Sequence, residues 1–289
     1  MSTWGISGPR FLLIYVVLLG VATLLAVVAQ RRALAGPDAG TAVPSRLDPY
    51  GAAYLNGGDA LVITTAAASL VRGGQLANAG RRGQVRLVAK AAPAAGVHPV
   101  AWAAYELVAA HPDQSLGDLR DALEGSPAVA AVRERLRRAG LAPTPEQRAR
   151  YRAAGLWFLP PLALGVARVV AGTANGRPVG FLVALLLLTV GLAAALCLRE
   201  PRATEAGRRT LGRLRSETPR PIGASPAELG MATALFGAGI LWAADTETAL
   251  ALQIPRERGA LGGTTGGDGG GGCGGGGGCG GGCGGGCGG

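Results

Sequence analysis

The chain has 289 residues, of which only 16% are charged, and its net charge of +10 rests almost wholly on arginine, with Lys90 the sole lysine. So low a charged fraction excludes an ordinary soluble domain for the whole length, since such domains carry ~25% charged residues. Four of the five cysteines fall in the last seventeen residues, which excludes a disulfide framework in the body.

Strong basicity points to a polyanionic partner, either nucleic acid or an anionic membrane face. Multi-pass membrane proteins also carry excess positive charge on their cytoplasmic segments, and that reading is preferred here.

Residues 1–10 form a short N-terminal segment. Residues 11–29, Phe11 to Ala29, form an unbroken apolar stretch rich in leucine, valine, alanine and isoleucine. About 20 helical residues cross the ~30 Å hydrocarbon core, so this stretch predicts a first transmembrane helix. A cleaved signal peptide would have a shorter apolar region and its charges in front. Here Arg31 and Arg32 follow the span and only Arg10 precedes it. The arginine pair is expected to stay in the cytoplasm, with the N-terminus outside.

Residues 30–47 read as a linker, and residues 48–152 as a cytoplasmic helical domain. Asp48-Pro49 opens a helix that Gly57-Gly58 closes. A second runs from Asp59 to Arg72, with Ile63, Ala66, Ala67 and Leu70 on one face. Gln75–Ala79 and Gln84–Ala89 flank Gly80-Arg81-Arg82-Gly83 and predict a hairpin with a basic tip. Three more helices follow: from His98 to Ala110, from Ser115 with Asp118 at its third position, and from Ser126-Pro127 to Gly140. The order helix, helix, hairpin, helices is winged-helix-like by analogy.

Thr144-Pro145-Glu146-Gln147 is a capping box. It leads through Arg148, Arg150 and Arg152 into a second span at residues 153–173, which Pro160-Pro161 should kink. Arg168 lies near its far end, where it can snorkel to the interface. Residues 179–198 form a third span, and 199–224 a basic cytoplasmic segment holding Arg199, Arg202, Arg208, Arg209, Arg213 and Arg215. The arginine-rich stretches fall after span one, before span two and after span three, so all share one side.

Residues 225–254 begin with the capping box Ser225-Pro226-Ala227-Glu228. Their large apolar side chains sit on two faces, and Leu229 to Ala244 is short for a span. The preferred reading is a helix packed on the membrane surface or the domain, with a fourth span as the alternative. Residues 255–289 read as a disordered glycine/cysteine tail, because polyglycine buries too little apolar area to offset its backbone entropy.

Asp48-Pro49-Tyr50, Ala53-Tyr54-Leu55-Asn56-Gly57-Gly58, Gly176-Arg177-Pro178-Val179-Gly180-Phe181-Leu182, Gly212-Arg213-Leu214-Arg215 and Ala234-Leu235-Phe236-Gly237, with the tail, carry a resemblance. Together they resemble an uncharacterised family of actinobacterial multi-pass membrane proteins with glycine- and cysteine-rich C-termini. The resemblance implies a membrane architecture and supplies no activity. The central segment is also similar to the cytoplasmic part of other bacterial membrane proteins that carry a glycine-rich tail, which implies a cytoplasmic tail here.

Four residues are candidate metal ligands: Cys273, Cys279, Cys283 and Cys287. Four thiolates satisfy tetrahedral Zn²⁺ or another thiophilic metal. Their C-x5-C-x3-C-x3-C spacing lacks tight C-x2-C pairs, so cross-linking thiols and a solvated tail without a site stand beside the metal reading. Arg81, Arg82 and Arg86 offer a wing for phosphate, although Asp59–Arg72 is poor in base-reading side chains. His98 and His111 lie at the two ends of one helix, ~20 Å apart, and cannot share a metal within it. No nucleophile–base–orienter set is found, so the sequence predicts no catalytic residues and no bound organic cofactor. The expectation is a membrane-anchored interaction or scaffold protein, with lipid and an unidentified protein as partners. The alternative is an envelope protein whose tail does metal or thiol-redox work.

Overall fold

The structure, a computed structural model, describes residues 8–35, 47–80, 86–174, 180–218 and 225–256. All of them fall in one compact unit spanning residues 1–258. The fold is mainly helical, with one small two-stranded sheet.

Among the described residues, three helical stretches are long and apolar enough to cross a membrane: Arg10–Leu34, Pro145–Ala171 and Gly180–Cys197. The first is α1 (Gly8–Leu34), which continues five residues past the expected end of the span. Its last turn carries Arg31 and Arg32, where cations suit the helix dipole. Residues 30–34 are thus helix rather than linker.

The domain opens with α2 (Pro49–Gly57) and α3 (Asp59–Arg72). Proline at the first turn of α2 costs no hydrogen bond, and Gly58, at φ +71°, turns the chain between the two helices. The strands β1 (Leu76–Asn78) and β2 (Leu87–Ala89) pair antiparallel, Leu76 opposite Ala89 and Asn78 opposite Leu87. This hairpin is shorter than the expected one. Its basic tip, Arg81-Arg82, lies outside the described residues. Then come α4 (Pro99–Ala110), α5 (Leu116–Leu123) and α6 (Pro127–Arg138). Ser115 and Asp118 form a reciprocal capping box, and Ser126 caps α6. The glycine after α6, Gly140 at φ +69°, ends it as expected.

α7 (Pro145–Ala153) runs through a 3₁₀ turn at Ala154–Phe158 into α8 (Leu159–Ala174). Pro160 and Pro161 have no N–H to offer the carbonyls one turn earlier, so the helix tightens there instead of continuing regularly. α9 (Gly180–Cys197) returns antiparallel against α8 and the 3₁₀ turn.

The C-terminal third differs most from expectation. The basic segment at 199–224 holds α10 (Glu205–Glu217), capped by Thr204 and packed on the domain through Thr210 and Leu211. The apolar stretch at 225–254 packs on the domain, one of the two placements the preferred reading allowed. It forms α11 (Pro226–Phe236), breaks at Gly237, and resumes as α12 (Leu241–Ala244) and α13 (Thr246–Ala251). Gly237 sits at φ +84°, a conformation costly for residues with a Cβ. Leu229, Leu235 and Leu241 are 0% exposed and belong to the same core as Ile63, Leu119 and Leu136. The two apolar faces noted in the sequence are explained by α11 lying between α2 and α3 and being covered on more than one side.

Thr204 closes the circuit. Its N–H donates to the Leu141 carbonyl at 2.9 Å and its hydroxyl to the Gly140 carbonyl at 2.7 Å. The chain therefore leaves the domain through α7 and α8 and comes back through α9 to the place it left.

Candidate functional site

A cavity of about 330 Å³ opens on the domain where α2, α3, α4 and α11 meet. Its floor is apolar, through Leu70, Val97 and Ala101, and its polar groups come from Tyr50, Thr65, Ser69, Gln75 and His98. The amphipathic spacing of α3 places Thr65 and Ser69 four residues apart on one face. Gly230 forms the facing wall, with the Thr65 methyl 3.9 Å from where a side chain would begin.

His98 is the most constrained of these groups. It caps α4, its Nδ1 accepting from the Val100 N–H at 3.3 Å. That bond requires Nδ1 to be unprotonated, so the proton of neutral His98 sits on Nε2, 3.6 Å from Asp48 Oδ2. The Tyr50 ring stacks on the imidazole, centroids 4.1 Å apart. Burial lowers the His98 pKa below its usual 6.5, against the opposing pull of Asp48. Burial also raises the Tyr50 pKa, partly offset by the Ser69 hydroxyl. His98 Nδ1 is therefore committed, Nε2 faces Asp48 Oδ2 without a hydrogen bond, and the other Asp48 oxygen is held by Arg135 at 2.5 Å. This is a positioning network rather than a proton relay. Thr65 Oγ1 and Asp48 Oδ2 are buried with no hydrogen-bond partner among the described residues. The cavity can therefore present hydroxyl and amide groups to a small neutral ligand over an apolar floor.

The sequence-predicted residues distribute unevenly. His98 and His111 stand at the N-cap and C-cap of α4, as expected. Arg86 reaches Asp113 at 3.4 Å, and both side chains are half-exposed. Arg168 lies over the Phe11 ring, 4.8 Å from its centroid, at the end of the bundle away from the domain. Cys273, Cys279, Cys283 and Cys287 lie outside the described residues.

Sequence reasoning missed the cavity because Gly230 and the Tyr50–His98 stack come from segments that no local pattern connects. The available signal was the pair of hydroxyls four residues apart, Thr65 and Ser69, in the middle of the apolar α3.

In the helical bundle, the Tyr15 hydroxyl and Thr189 Oγ1 are hydrogen-bonded at 3.0 Å, both fully buried. Gln30 Nε2 donates to the Leu196 carbonyl at 3.2 Å. Phe158 packs with Leu19 and Ala26. These contacts align the three helices and set their ends level on the domain side.

No protein-family model, no curated protein and no solved structure matches this chain, so its function is read from its own residues.

Proposed function

We propose that the chain is a three-span membrane protein that holds a helical interaction domain on the cytoplasmic face of the membrane, with the Gly/Cys tail starting on that same side. The observation that carries the reading is the packing of α11 into the core of the domain that lies between α1 and the α8–α9 pair. A core cannot form across a bilayer, so α2–α7 and α10–α13 share one side. Residues 219–224, which join α10 to α11, are too few to cross ~30 Å even when extended. Two spans, α8 and α9, then form an inserted hairpin.

The arginines at the domain ends of the spans support the cytoplasmic assignment. α3 is buried along most of its length, which leaves it no free face for a nucleic-acid groove and supports a protein or lipid partner instead. In a reducing compartment the tail cysteines stay as thiols, which favours thiophilic metal over disulfides.

A membrane-impermeant maleimide on intact and permeabilised cells tests the arrangement. Labelling of the tail cysteines is expected only after permeabilisation. Labelling on intact cells would overturn the shared side and favour the envelope reading. Zinc titration of the full-length protein against a version with Cys273, Cys279, Cys283 and Cys287 changed to Ser tests the metal reading; equal weak uptake by both removes it.

A further inference from the structure

The arginines of this protein fall into two classes. Those on the domain are mostly neutralised within the fold: Arg133 by Asp59, Arg135 by Asp48 at 2.5 Å, Arg138 by Glu134 at 3.1 Å, Arg209 by Glu205 at 3.3 Å and Arg213 by Glu217 at 2.6 Å. At the junction between domain and spans the pattern changes. Arg31, Arg32, Arg150 and Arg199 are exposed, and among the described residues none of them has a carboxylate within ion-pair distance. The carboxylate at this level, Glu200, is taken by Arg152 at 2.7 Å.

The four stand near one level, an arginine tier, or ring, at the domain ends of the three apolar helices. Gln30 bonds the Leu196 carbonyl at 3.2 Å, so the ends of α1 and α9 are level. The Arg152–Glu200 pair ties the start of the second span to the same height. α1 packs along α7 and the 3₁₀ turn, so the last turn of α1, with Arg31 and Arg32, ends on the side of the bundle where α7 carries Arg150. Directly beyond this ring the surface becomes apolar, with Leu24, Leu156, Trp157 and Leu159 exposed.

We infer that this arginine ring is a binding site for the headgroups of anionic phospholipids, resting on the membrane-spanning reading above. Guanidinium groups match phosphate through paired N–H donors, and cations next to an anionic leaflet gain from its surface potential. The apolar band beside the ring holds the acyl chains of the same lipid. Partnered domain arginines have no such need, whereas these four exposed arginines stand where lipid phosphate would lie.

The test uses purified full-length protein, with Trp4→Phe to simplify emission, reconstituted in vesicles. Trp157, 46% exposed next to the ring, reports the lipid beside it. Quenching by brominated phosphatidylglycerol is compared with quenching by brominated phosphatidylcholine at equal mole fraction. Preference for the anionic lipid of roughly fivefold or more is expected, weakening with salt. Changing Arg31, Arg32, Arg150 and Arg199 to Gln should bring the preference close to one, while Arg→Lys at the same positions keeps only the part due to charge and loses the part due to paired donors. Equal quenching by the two lipids in the unmodified protein would overturn the site without touching the Arg variants. An undiminished preference in the Gln variant, with insertion verified by alkaline carbonate extraction, would overturn the assignment to these residues. Loss of the unmodified protein from membranes under carbonate would instead overturn the membrane-spanning reading itself.

Discussion

Arg215 and Asn56 meet across 159 positions of sequence, the guanidinium donating to Asn56 Oδ1 at 2.6 Å. Between them they hold the end of α11: Arg215 Nε donates to the Leu235 carbonyl at 2.7 Å and Asn56 Nδ2 to the Ala234 carbonyl at 2.9 Å. The last carbonyls of a helix have no partner within it. Side chains from α2 and α10 supply those partners here, locking the segment after α9 to the segment before α8.

Replacing Asn56 by Ala should therefore cost about 1–2 kcal/mol, since it strands the Ala234 carbonyl and one guanidinium donor together. Hydrogen exchange is the suitable measurement, because a chain that joins long apolar helices to a helical domain need not unfold in one step. Amides of α11 should exchange faster in Asn56→Ala and in Arg215→Met. The double variant should fall short of the sum, because the two residues share one network.

The segment 48–152 expressed alone should not form a rigid domain. It lacks Leu229, Leu235 and Leu241, each 0% exposed in the intact core. A fusion that replaces the two spans by a short Gly/Ser linker, joining 152 to 203 and continuing to 256, should restore cooperative unfolding and dispersed amide spectra. In that fusion Leu235→Ala should cost about 2–5 kcal/mol through lost burial and the cavity left behind. A sharp transition in 48–152 by itself would contradict this account.

His98 makes domain stability depend on pH in a definite direction. Its folded pKa lies below the usual 6.5, so in the window beneath that value the unfolded chain binds a proton that the folded chain refuses. Stability is full above the unfolded pKa and falls as pH drops toward the folded one. His98→Asn keeps an oxygen to accept the Val100 N–H and removes the titration. Its unfolding curve, followed by circular dichroism, should lose that part of the slope between neutral and mildly acidic pH.

The bundle should be sensitive at Gly165. A Cβ there would sit 2.8 Å from Leu186 Cδ1 and 3.0 Å from the Tyr15 ring and hydroxyl, so Gly165→Val must push α1 or α9 away. Tyr15→Phe removes only the bond to Thr189, and about 0.6 kcal/mol is the usual worth of such a bond between helices in lipid. Unfolding in mixed micelles with increasing dodecyl sulfate should rank Gly165→Val well below Tyr15→Phe.

Local structure was largely legible in the sequence because it is set by local rules. The capping boxes at Ser115-Asp118, Thr144-Gln147 and Ser225-Glu228 form as their spacing requires. The apolar runs become the three helices long enough to span, since twenty apolar residues have few other solutions. Gly58 and Gly140 end their elements through positive φ. The cavity was less legible. Tyr50 and His98 were visible as individual residues, but their stacking depends on how α2 meets α4.

Composition and periodicity by themselves determined that this chain alternates greasy helices with a helical domain, and where arginine concentrates. Only the tertiary structure decided that α11 belongs to the domain and not to lipid. Its hydropathy suits either environment, and what distinguishes them is a partner surface on α2 and α3 that lies far away in sequence. Packing against that surface buries Leu229 and Leu235 from water as completely as a membrane would, and Asn56 and Arg215 satisfy the helix end in a way that hydrocarbon could not.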